Sequence, residues 1–129
     1  MKLLLDTHIW LWTLSSPDRI SPPALQALSD KHNALYLSAA SSWEIAIKYR
    51  LGKLPLPEPP SQFIPPRLAR DGILALPVEH AHCLAVADLP DHHSDPFDRL
   101  LIAQCQLEGM TFVTHDNKVG TYGAEILWA

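Results

Sequence analysis

The chain has 129 residues, of which 47% are apolar and 19% charged, and its formal net charge is −4. That length fits one domain, 1–129, with enough chain to bury a core unaided, and it excludes both a multi-domain enzyme and a disulfide-stapled miniprotein. The acidity argues against a general polyanion binder, because such affinity comes from Lys and Arg neutralising phosphates; carboxylates neutralised by bound cations would remove the objection.

The opening Met1-Lys2-Leu3-Leu4-Leu5-Asp6 is too short an apolar run for an export signal, and no stretch approaches the roughly 18 apolar residues that span a bilayer. Cys83 and Cys105 stand far apart and build neither a CxxC pair nor a zinc ribbon. A soluble protein of the reducing cytoplasm, with no membrane partner, is the expectation.

Taken in chain order, Lys2 to Leu5 reads as a buried strand ending in Asp6, followed by a helix over Thr7 to Leu14. Ser21 then caps a helix over Pro22 to Ser29, with Pro at its first position. Ala34 to Leu37 is a second strand, and a helix over Trp43 to Leu51 closes at Gly52. Leu54 to Pro66 carries six of the twelve prolines and reads as an extended surface excursion. Beyond it come a strand over Ile73 to Leu76, a helix over Glu79 to Ala87 and a helix over Pro96 to Glu108 stopped by Gly109. Thr111 to Val113 and Glu125 to Trp128 complete the strands. The alternation predicts an α/β fold, a central parallel sheet flanked by helices.

Open parallel sheets gather their sites at the carboxyl ends of the strands. Asp6 and Asp116 follow strands directly or closely, and Glu44 and Asp98 fall in the first turns of helices. Each has an ordinary explanation: Ser41-Ser42-Trp43-Glu44 matches a capping box, Asp95-Pro96-Phe97-Asp98 an N-cap with a favourable acid at the third position, and Asp116-Asn117 a turn. Caps have no reason to converge, however, and a parallel sheet brings Asp6, Glu44, Asp98 and Asp116 to one edge. Two carboxylates about 5 Å apart repel by about 3 kcal/mol at an effective dielectric of about 20, so such a group calls for cations. Oxygen ligands suit Mg²⁺ or Mn²⁺, whose retained waters can attack a phosphodiester.

At Leu3-Leu4-Leu5-Asp6-Thr7-His8, at Ser38 to Lys48, at Asp95 to Gln104 and at Thr114-His115-Asp116 the sequence resembles the PIN-domain family, and within it the VapC-type ribonuclease toxins. The resemblance covers essentially the whole chain. It implies a three-layer fold, Mg²⁺- or Mn²⁺-dependent endonucleolytic cleavage of RNA, a cognate antitoxin covering the site, and a homodimer. It implies that Asp6, Glu44, Asp98 and Asp116 form the family's catalytic, metal-binding acidic quartet, with Asp95 an extra acid. The mechanism expected from them has Asp6, Asp98 and Asp116 holding one or two metals, directly or through water, and Glu44 orienting or deprotonating the attacking water. Thr114 is a candidate for a bond to a metal ligand or substrate, its alternative being a plain strand former. His115 departs from the Arg common at that position.

Other features carry blander expectations. His80 and His82 point apart on a helix and make a poor zinc pair. His92-His93 reads as a solvated loop. Lys48, at four residues from Glu44, is placed for an ion pair, and Arg50, Lys53 and Arg99 are candidates for phosphate contacts. Trp10 and Trp12 suggest an apolar dimer face on the early helices. Two rival functions remain: an aspartyl-phosphate phosphatase built on Asp6, which lacks the usual second acid because His8 stands there, and a catalytically inactive binding module of the same fold.

Overall fold

The computed structural model describes residues 1–129, Thr121 through its backbone alone. Five strands form one parallel sheet: β1 (Lys2–Leu5), β2 (Ala34–Ser38), β3 (Leu74–Leu76), β4 (Thr111–Thr114) and β5 (Ile126–Trp128), in the order β3-β2-β1-β4-β5. Six α-helices connect or flank them: α1 (Thr7–Ser15), α2 (Pro22–Ser29), α3 (Ala39–Arg50), α4 (Pro60–Asp71), α5 (His80–Ala85) and α6 (Pro96–Glu108). The sheet grows outward from β1 in one direction through β2 and β3, then in the other through β4 and β5. Strand order therefore reverses between β1 and β4, and such a reversal opens a crevice beyond the carboxyl ends of those two strands.

Side-chain alternation along β1 separates two cores. Leu3 and Leu5 pack with Ile9, Trp10, Leu37, Ile45, Phe63 and Val113 on one face. Leu4 packs with Leu101, Ile102, Cys105, Phe112 and Tyr122 on the other. Helices on both faces explain why the central strands are apolar runs rather than alternating ones, and they give the three layers.

Most boundaries follow the sequence. Ser21 caps α2, accepting the Ala24 amide, and α6 runs from Pro96 to Glu108 and stops at Gly109, where φ is 65° as a left-handed helix stop requires. Two elements differ. Helix α3 begins at Ala39, its cap supplied by Ser38, whose hydroxyl accepts the Ala40 amide at 3.0 Å. The Ser41–Glu44 capping box is therefore absent, and Glu44 lies inside the helix, buried. The proline-rich stretch lacks helix and strand only as far as Pro59, with bends at 54 and at 57–58; Pro60 opens α4, which includes Pro65 and Pro66. Proline at the first position is preset for a helix, and burial of Phe63 and Ile64 holds α4 to the core across the hydrogen bonds that Pro65 and Pro66 cannot donate.

Trp10 is fully buried, edge-on to Phe63 at 6.1 Å. It is a core residue and cannot supply the dimer face expected of it. Among the described residues, no helix is long and apolar enough to cross a membrane.

Candidate active site

The crevice between β1 and β4 is a cleft of about 350 Å³ lined by Asp6, His8, Ile9, Trp12, His93, Asp95, Asp98, His115 and Asp116. Asp6 follows the last residue of β1, and its amide donates to the Val113 carbonyl at 2.9 Å, which continues the ladder one residue beyond the strand. Its side chain makes no capping bond to α1. Instead Asp6 Oδ2 accepts the Thr114 hydroxyl at 2.8 Å across the strand reversal. Thr114 Oγ1 also accepts the Asp116 amide at 3.1 Å. One buried hydroxyl thus fixes an acid from β1 and the turn that carries an acid after β4, a role beyond β propensity.

Asp98 reaches the cleft from the first turn of α6. Asp95 caps that helix, Oδ1 accepting the amides of Phe97 at 2.9 Å and Asp98 at 3.3 Å. Asp116 starts a 3₁₀ turn, accepting the Lys118 amide at 3.0 Å. The ordinary readings of these two acids are correct as geometry, yet both side chains also line the cleft. Glu44 enters from α3 beneath them. It is not among the cleft-lining residues, and Oε2 is 2.6 Å from Lys48 Nζ, the ion pair expected from their spacing. A buried bond from the Thr7 hydroxyl to Ser41 Oγ, 2.8 Å, ties the start of α1 to α3 next to this pair.

The convergence shifts the acids away from their ordinary pKa values. Burial, and then the charges of Asp6 and Asp95, push Asp98 up to about 7, with Glu44 adding to the rise and His93 opposing it. Burial also raises Asp6, against the Thr114 bond and with help from Glu44. Asp116 is held below the ordinary value: burial pulls it up, but the Lys118 amide and His93 outweigh that. The bond to Glu44 raises Lys48.

His93, expected to be a solvated loop residue, is a cleft residue. Its Nε2 lies 2.9 Å from Asp98 Oδ2 and 2.9 Å from Asp116 Oδ2, and one ligand atom from each of the three lies within 4.8 Å of the others. Its place two residues before the α6 cap was the available signal. Arg99 is a structural strap, donating to the carbonyls of Pro90 at 2.8 Å and Val86 at 3.0 Å, so its guanidinium is occupied by backbone rather than held out for phosphate. His80 and His82 do not share a site: His82 is buried, and its Nδ1 accepts the Glu79 amide at 3.0 Å. Beside the cleft, Trp43 is exposed and meets Phe97 edge-on at 5.3 Å.

The family model described as PIN domain matches residues 3–124, a span that contains every acid of this cluster. The chain belongs to the PIN domain family. A segment of this PIN domain is 56% identical over 55 residues to "Ribonuclease VapC16" of Mycobacterium tuberculosis, covering 43% of this chain and 39% of that protein. The match thus spans well under half of the relative's length. Among solved structures, VapBC2 from Rickettsia felis, bound to a DNA fragment from its promoter, has a TM-score of 0.74 at 17% identity, with 98% of each chain covered. DNA-bound VapBC from Salmonella typhimurium gives 0.73 at 15% identity, covering 98% of this chain and 97% of that one. A toxin-antitoxin complex from Klebsiella pneumoniae gives 0.61 at 17% identity, covering 97% and 95%. At these identities the structural neighbours speak for the fold.

Proposed function

We propose that this PIN domain is a metal-dependent endoribonuclease, the toxin of a toxin-antitoxin pair, acting at the carboxyl-end cleft. The observation that carries the reading is the convergence of Asp6, Asp98 and Asp116 in one cleft. Such a group carries uncompensated negative charge, and its carboxylate oxygens fit a hard divalent ion, Mg²⁺ or Mn²⁺. Asp6, Asp98 and Asp116 would hold it. Bound there, the ion supplies an activated water and charge stabilisation on a phosphodiester.

The chain's own residues do the rest. Thr114 keeps Asp6 turned into the cleft and sets the backbone of Asp116 beside it. Asp95 caps α6 and so aims Asp98. Glu44 acts from beneath through its charge, which raises both Asp6 and Asp98, and its pairing with Lys48 keeps that charge in place. The low side-chain exposure of Asp98, 16%, limits competing water on its carboxylate.

The VapC name of the partial relative and the toxin-antitoxin assemblies among the fold neighbours support RNA as substrate and a protein antitoxin as partner. Cytoplasmic location belongs to the same reading. So does a homodimer, whose surface must lie away from Trp10; sedimentation of the purified chain tests it. An inactive binding module would not need this cluster of acids, and an aspartyl-phosphate phosphatase would leave RNA chains intact. The deciding experiment incubates antitoxin-free protein with cellular RNA in Mg²⁺ or Mn²⁺, in EDTA, and as the Asp6→Asn and Asp98→Asn variants. Cutting that requires metal and both aspartates is the expected result; intact RNA throughout would transfer the assignment to the binding module.

A further inference from the structure

We propose that His93 is a hydrogen-bond clamp on the Asp98–Asp116 pair and not a ligand of the cation. The role builds on the metal-dependent reading above, but its evidence lies in the chain itself. The imidazole is 9% exposed, with Nε2 at 2.9 Å from an oxygen of each acid. Those distances alone suit either a ligand or a donor. The other ring nitrogen decides between them. Nδ1 accepts the backbone amide of Asp95 at 3.2 Å. An amide N–H only donates, so Nδ1 carries the lone pair and the proton of the neutral ring sits on Nε2. A metal-bound imidazole has the reverse arrangement: the lone pair is on the coordinating nitrogen, and the other nitrogen donates its N–H to a carboxylate or carbonyl.

Nε2–H is thus a donor aimed between two acceptors of like charge. Carboxylates about 5 Å apart repel by about 3 kcal/mol at an effective dielectric of about 20, and a shared donor offsets part of that before any cation arrives. The clamp is itself anchored. Asp95, which orients the ring through its amide, is fixed as the α6 cap. Arg99, one turn along α6, donates to the carbonyls of Val86 and Pro90 and, at 3.4 Å, to that of His93. The angle of the imidazole is therefore set by backbone, and the separation of Asp98 from Asp116 is set by the imidazole. His93 is a positioning residue, and the cation would see an all-oxygen site.

Three measurements test this. In metal-free protein at pH 8, long-range ¹H–¹⁵N correlation on histidine-labelled chain, with His93→Ala for assignment, should show His93 as the Nε2–H tautomer; a ring carrying a proton on Nδ1 would overturn the clamp. In Mn²⁺-loaded protein, electron spin-echo modulation should show no directly bound nitrogen, whereas a bound-nitrogen signal lost in His93→Ala would overturn it. By calorimetry, His93→Ala should bind Mn²⁺ about 10-fold or more weakly, within the range for residues that orient metal ligands. His93→Gln, which returns an N–H donor of similar reach, should recover part of the affinity. Equal or tighter binding by His93→Ala would contradict the role. Should wild-type protein bind no Mn²⁺, the metal reading fails, and the tautomer measured without metal still decides the clamp.

Discussion

The two ends of the sheet hold cavities of similar size and opposite character. At the amino end, about 410 Å³ is lined by Cys105, Gln106, Gly109, Met110, Gly123, Ala124 and Glu125. Its single acid, Glu125, is exposed, and burial pushes the Cys105 thiol up to about 12, so it stays neutral. Charges near this end are satisfied simply: Lys2 Nζ donates to the Glu108 carbonyl at 2.9 Å and the terminal ammonium to Asn33 at 3.2 Å. At the carboxyl end the smaller cleft, about 350 Å³, gathers Asp6, Asp95, Asp98, Asp116 and His93. Volume does not distinguish the two. Convergent, partly desolvated carboxylates do, and such a group is the usual mark of a functional site.

That contrast can be broken most forcefully at the acids themselves. Asp6→Asn or Asp98→Asn should lower the rate of RNA cleavage by about 1,000-fold or more, with loss of metal ligation as the cause. Glu125→Gln should leave the rate unchanged. Comparable losses at both ends would erase the distinction. The next largest effect lies in the core that supports both ends: Phe112→Ala, at a fully buried β4 position, should cost about 3–5 kcal/mol in a urea titration.

A pH experiment sharpens the comparison. The folded-state pKa of Asp98 is raised above its unfolded value near 3.8, to about 7, so the stability it contributes is full below about pH 4 and is lost as pH rises through 7. Asp6 shifts in the same direction. Asp116, lowered, has the opposite sign, and its solvent exposure of 34% weakens the effect. In EDTA, the melting temperature of wild type should therefore fall from pH 5 to pH 8 relative to Asp98→Asn, by about 5 °C for roughly 1 kcal/mol. Mg²⁺ should restore it at the upper end. Identical pH profiles for the two proteins would mean that Asp98 is not under charge stress. Smallest of all, Glu125→Gln should change stability by less than about 0.5 kcal/mol, as an exposed residue at an undemanding end.

Much of the carboxyl end was legible in the sequence. Apolar runs followed by Asp6 and Ser38, and Pro96 and Gly109 bracketing α6, gave strands, helices and their parallel order, and parallel order alone brings strand-end acids together. What was hidden depended on distance in space. The capping-box alternative for Glu44 rests on Ser41 three residues earlier, and it fails because Ser38 starts the helix. The run of prolines reads as extended chain because each lacks an amide N–H, whereas Pro60 at a first helical position and the burial of Phe63 and Ile64 favour α4. His93 had no sequence partner at all: its contacts with Asp98 and Asp116 exist only once α6 and the turn after β4 meet. Thr114 is a candidate in the sequence for a bond to a metal ligand, but that the partner is Asp6, 108 residues away, shows only in the fold.

The most direct test is to soak crystals in Mn²⁺ and measure anomalous scattering. A peak among the carboxylates of Asp6, Asp98 and Asp116, absent from Asp98→Asn crystals, is the expected result. An empty cleft in Mn²⁺-saturated crystals would contradict the assignment of this end of the sheet to metal-dependent chemistry.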